Sequence, residues 1–103
     1  MNKDELKTIS GTIISGDVTL SFTEICSATK VNPQLVLELI EYHIIQPQGN
    51  AESNWAFDHI CLKRVRLARN FYHDLEVNLP GIALAIDMLE RIDALEAEIA
   101  KLK

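Results

Sequence analysis

The chain is short of the residues that most constrain small folds. It carries two cysteines, Cys26 and Cys61, in 103 residues. Two cysteines cannot build a disulfide scaffold, and with no export signal ahead of them both thiols are expected to stay free and buried. Three prolines and four glycines supply neither a flexible linker nor a Gly-rich phosphate loop. One continuous domain is therefore expected, and nucleotide-binding loops are excluded. No apolar run approaches the roughly 20 residues of a membrane span. The N-terminus, with Lys3, Asp4, Glu5 and Lys7, lacks the apolar core of a signal peptide. A cytoplasmic protein without membrane contact is expected.

Basic charge is also scarce. The formal net charge is -5, the wrong sign for a protein whose affinity comes from neutralising phosphates. Between Val31 and Phe57 there is no Lys or Arg, while Glu38, Glu41 and Glu52 give that stretch a net -3. Groupings that carry chemistry are missing too. Cys26, Cys61, His43, His59 and His73 show no metal-ligand spacing. His59 and Cys61, two apart on a helix, point away from each other and cannot form a thiol-imidazole pair. No catalytic residues, cofactor or metal ion are expected, and binding is favoured over catalysis.

What is present suits a folded, mainly α domain: hydrophobic residues make up 48% and charged residues 24%. Residues 1–16, with Gly11 and Gly16 among Ile9, Ile13 and Ile14, read as an N-terminal extension, either an extra strand or a loose lead. Val18 and Leu20 alternate with polar neighbours as in a short half-buried strand. Ser21-Phe-Thr-Glu24 forms a capping box for a first helix reaching about Thr29. Asn32-Pro33 pairs an N-cap with a proline at the first helical position, opening a second helix to about Tyr42. Two short helices this close, with Phe22, Ile25, Leu35, Val36, Leu39 and Ile40 to pack between them, describe a helix-turn-helix.

Ile44-Ile45-Gln46-Pro47 and Asn54-Trp55-Ala56-Phe57 flank a loop containing Gly49, and read as a small β hairpin, or wing. Asp58 can cap a third helix to about Val77, with Cys61, Val65, Ala68, Tyr72 and Leu75 on one row and Ile60, Leu67 and Phe71 on a second. Residues 17–77 make the winged helix-turn-helix domain and residues 78–103 a C-terminal dimerisation helix. In the latter, Leu79, Ile82, Ile86 and Leu89, then Ile92, Leu95, Ile99 and Leu102, form a coiled-coil seam with a three-residue step between Leu89 and Ile92. The length of this seam favours a homodimer over a helix folded back on its own domain.

Three recognition features stand out, each with a plainer alternative. Glu38 and Glu41 lie on the expected recognition helix, where solvation alone accounts for any single glutamate. Lys63, Arg64, Arg66 and Arg69 make a basic cluster on the third helix, open to nucleic acid or to plain solvation. Trp55 shares a strand face with Phe57, so core anchoring leads and partner contact is the minority reading.

The order of elements from Ser21 through Ile92 resembles the MerR-type winged helix-turn-helix, but the arginines that pattern places in the recognition helix and wing are missing. A closer similarity, over about Val18 to Ile92, is to the CbpM family of chaperone modulators. It rests on Trp55-Ala-Phe-Asp58, on Arg64-Val-Arg-Leu-Ala-Arg69, and on Leu79-Pro-Gly-Ile-Ala-Leu-Ala-Ile86. The resemblance implies binding to the J domain of a DnaJ-like, CbpA-type co-chaperone and inhibition of its engagement with Hsp70. Glu38, Glu41, Trp55, Lys63 and Arg66 are the expected partner contacts. The competing expectation is a MerR-like DNA-binding transcription regulator acting through Lys63, Arg64, Arg66 and Arg69, which the charge disfavours.

Overall fold

Every α-helix among the described residues begins at a side chain that accepts one of its orphan backbone N–H groups. The computed structural model describes residues 18–103; the extension expected over residues 1–16 lies outside them. Helix α1 spans Phe22–Thr29, with Ser21 accepting from the Glu24 N–H at 3.1 Å while Glu24 accepts from the Ser21 N–H at 2.9 Å. Helix α2, Pro33–Glu41, starts at Asn32, which accepts from Leu35 N–H at 2.8 Å. Helix α3, His59–Asp74, starts at Asp58, and helix α4, Leu79–Lys101, at Asn78. Each such cap contributes about 1 kcal/mol, and three of them, Ser21, Asn32 and Asp58, were legible as short sequence signals.

The turn between α1 and α2 is three residues, and Lys30 takes the left-handed conformation that lets it close (φ 59°). The turn folds Ile25 and Ala28 of α1 against the apolar stripe Leu35, Val36 and Leu39 of α2. Helix α3 crosses this pair, burying Cys61, Leu62, Val65 and Ala68. The chain then reverses, and α4 packs back along α3 through Ile82 and Ile86. Ile44, Ile45 and Phe57 close the core from the connecting segment.

That segment departs from the expected hairpin. Among the described residues there is no strand, only two isolated antiparallel bridges, Leu20 with Phe57 and Gln48 with Ala56. Beyond Ala56, Phe57 turns its N–H and C=O to Leu20, and ahead of Trp55 residues Glu52–Asn54 coil into a 3₁₀ turn. Gly49 sits at φ 114°, where a Cβ would run into the Asn54 carbonyl, so the loop tip requires glycine. The strand expected near residue 20 is likewise one bridge: Leu20 is buried but Val18 is exposed.

Helix α3 is also shorter than its periodicity suggested. Glu76 in the left-handed region (φ 55°) ends it before Val77. Tyr72 and Leu75 continue the apolar row of Cys61, Val65 and Ala68, yet both are exposed, because the row runs on past the elements that cover it. Ile60, expected on the second covered row, is exposed, and Leu62 is buried in its place. Cys61 is a buried free thiol, raised above its usual pKa by desolvation, and Cys26 is free and half-buried.

Candidate partner-binding surface

Helix α2 turns its acids outward because its apolar residues face in. Leu35, Val36 and Leu39 are buried, which leaves Glu38 half-buried at the edge of that stripe and Glu41, one turn on, exposed. Spaced i, i+3, the two carboxylates share a face. Neither belongs to the described ion pairs, Lys63–Asp93 and Arg64–Glu90. The result is an acidic ridge without a Lys or Arg from Val31 to Phe57.

The basic residues of α3 do not form one matching surface. Arg64 donates to both Glu90 carboxylate oxygens, at 2.8 and 2.7 Å, and to the Ile44 carbonyl at 3.0 Å. It thereby ties α3, α4 and the exit of α2 together. Arg69 donates to the Thr29 carbonyl at 2.9 Å, closing over the end of α1. Lys63 reaches Asp93 at 3.7 Å across a solvated gap, an exposed pair of little energetic weight. Arg66 is half-buried and also engaged in an interaction.

Nothing in the local sequence marks Glu90 as Arg64's partner, 26 residues away. The only signal was an acid continuing the inward stripe Leu79, Ile82 and Ile86 by four residues. The Arg64 guanidinium holds the Glu90 carboxyl below its usual range, and Glu90 in turn raises Arg64. Replacing Arg64 by Ala removes a bidentate charged pair and a carbonyl contact, an expected loss of about 2 kcal/mol. That corresponds to a melting temperature lower by about 10 °C. Because the folded pKa of Glu90 is depressed, its contribution is present above the unfolded value of about 4.3 and disappears as pH falls through the folded one. Thermal melts of wild type and Glu90→Gln should therefore differ most at neutral pH and converge towards pH 3.

Trp55 is half-buried within an aromatic cluster, its ring 5.9 Å from Phe22 and edge-on to Phe57 at 6.1 Å. Its remaining surface lines a shallow cleft with Ser21, Phe22, Thr23, Glu52 and Ser53. The ring thus anchors the connecting segment and still presents an edge.

The expected seam on α4 divides into two faces. Ile82 and Ile86 are fully or almost fully buried in the chain's own core, and Leu79 is half-buried against it. Leu89, Ile92, Leu95, Ile99 and Leu102 are exposed, as are Leu84 and Met88. Among the described residues no helix is long and apolar enough to cross a membrane.

A capped helix pair, a bridged connecting segment and a long final helix define a helix-turn-helix protein of the MerR plan, and residues 20–103 match the family model of MerR HTH family regulatory proteins. The chain is 39% identical over 95 residues to the chaperone modulatory protein CbpM of Coxiella burnetii (strain Dugway 5J108-111), covering 92% of this chain and 90% of that protein. It is 30% identical to the proteins of the same name from Pseudomonas entomophila (strain L48) and Pseudomonas putida (strain GB-1), covering 92% of this chain and 91% of each. The chain belongs to the CbpM family of chaperone modulatory proteins.

Proposed function

We propose that this protein modulates a molecular chaperone by binding the J domain of a DnaJ-like, CbpA-type co-chaperone and masking the surface that docks Hsp70. It is a binding protein and not an enzyme, works in the cytoplasm, and acts as a homodimer joined along α4. The observation that carries the reading is the outward acidic face of α2, Glu38 and Glu41, in a family named for chaperone modulation. A basic docking helix on the co-chaperone is complementary to such a face, and complementarity of this kind governs both encounter rate and partner choice. Trp55, Lys63 and Arg66 are the proposed flanking contacts.

The DNA-reading alternative fares worse on the same observations. Its reading helix has no cation, and Arg64 and Arg69 are spent on main-chain carbonyls. Titration calorimetry of the full chain against the J domain of a CbpA-type protein from the same cell should give a complex of micromolar affinity or tighter. No heat at tens of micromolar, about -6 kcal/mol of binding free energy or less, would sink the proposal.

A further inference from the structure

Helix α2 ends on a locked turn. Tyr42 caps it, and His43, in the left-handed region (φ 61°), reverses the chain. The His43 N–H donates to the Ile40 carbonyl at 3.0 Å and the Ile44 N–H to the Leu39 carbonyl at 2.8 Å, the pair of bonds that closes a helix in a Schellman turn. Ile44 and Ile45 are then buried in the core, and the Ile44 carbonyl accepts from Arg64, itself clamped to Glu90. The backbone that carries Tyr42 is thus fixed from inside the molecule.

The Tyr42 side chain, by contrast, is left in solvent. The residue is 46% exposed, and among the described residues neither its ring nor its hydroxyl has a partner. A single exposed aromatic ring needs no explanation by itself, so its neighbours decide. Glu38, Glu41 and Tyr42 stand at i, i+3 and i+4, the spacing that gathers three side chains into one patch of helix surface. The patch lies at the negative end of the helix dipole, with no basic residue in the last turn. An aromatic ring face attracts a cation, and two carboxylates beside it attract the same cation. The three groups therefore agree on one kind of occupant, and they repel a nucleic acid or the same acidic face of a second copy.

We propose that Tyr42 is the anchor of the α2 face: its ring seats a lysine or arginine side chain of the co-chaperone's basic docking helix, while Glu38 and Glu41 take up that side chain's charge. This rests on the J-domain reading above and adds the residue on which the contact is centred. Because the turn is already ordered and tyrosine has few rotatable bonds, seating the cation costs little conformational freedom. Under that condition one aromatic side chain can carry a large share of the binding. Trp55, packed against Phe22 and Phe57, is left as a flanking contact.

Titration calorimetry of the full chain against the J domain separates the contributions. Tyr42→Phe should keep affinity within about threefold, since the ring face remains. Tyr42→Leu, which keeps apolar area and loses that face, should weaken binding about fivefold, and Tyr42→Ala at least about tenfold. In proton NMR spectra of the complex, the side-chain methylene signals of one lysine or arginine of the J domain should move upfield under the ring, and should lose that shift with Tyr42→Leu. A purely structural role for Tyr42 would not produce it. Full affinity in Tyr42→Ala would overturn the anchor and leave J-domain binding standing. Tyr42→Leu binding as tightly as wild type, with no upfield signal, would remove the cation seat. A loss in Tyr42→Phe equal to that in Tyr42→Ala would give the contact to the hydroxyl and overturn the role of the ring. No binding by wild type would take away the J-domain reading, and the anchor with it.

Discussion

Phe57→Ala should lower the melting temperature by roughly 15 to 30 °C, the consequence of losing about 3 to 5 kcal/mol. Phe57 is fully buried, and its backbone exchanges both hydrogen bonds with Leu20 at 2.8 Å. Its ring also contacts Phe22 on α1 and Trp55. Three parts of the chain thus meet at one side chain: the start of the described chain, the first helix and the segment before α3. Truncating it opens a cavity between elements held by single bridges, with no ladder to share the load. Circular dichroism melts at neutral pH give the readout, and a variant melting within about 3 °C of wild type would mean that this junction carries far less than its burial implies. Phe57→Leu, which keeps most of the apolar volume, should recover more than half of the loss.

The second large effect concerns the acidic face. Glu38→Lys/Glu41→Lys exchanges two attractions for two repulsions against a basic docking helix, so affinity for the J domain should fall by at least about tenfold. The melting temperature should move by only a few degrees, since Glu41 is exposed, Glu38 is at the rim of the buried stripe, and neither is in a described ion pair. Wild-type binding should weaken with added salt, and the variant's residual binding should not. A double variant that keeps full affinity would remove α2 from the interface, whatever its effect on stability. Lys63→Ala should have a small effect on stability, because its pair with Asp93 is long and solvated.

Helix starts were readable residue by residue because a cap is a local device. Ser21, Asn32, Asp58 and Asn78 each act within three positions of themselves, and the first three were visible as short motifs. The wing is present only as one antiparallel bridge, Gln48 with Ala56, because β pairing is not local. Asn54-Trp55-Ala56-Phe57 has strand-like composition, but Asn54 is taken by a 3₁₀ turn and Phe57 pairs with Leu20 instead. The acidity of α2 was likewise legible, since the absence of Lys and Arg from Val31 to Phe57 needs no structure to see, and the buried Leu35, Val36 and Leu39 then fixed which way the acids face.

The sequence by itself determined helices α1 to α4 of the described residues, the tight turn between α1 and α2, and the charge that separates this chain from a phosphate-binding pattern. Periodicity, caps and net charge are properties of neighbouring residues, and neighbours are what a sequence shows. Tertiary structure decided how the residues were divided among tasks. Arg64 and Arg69 could be surface cations or internal ties until their carbonyl and carboxylate partners came within 3 Å. The apparent single seam of α4, with its irregular step between Leu89 and Ile92, became two regular faces once Ile82 and Ile86 were spent on the chain's own core. A helix repeats every 3.6 residues, so two stripes on opposite sides of one helix overlap in sequence. Only the packing of α3 against one of them shows where the first ends and the second begins.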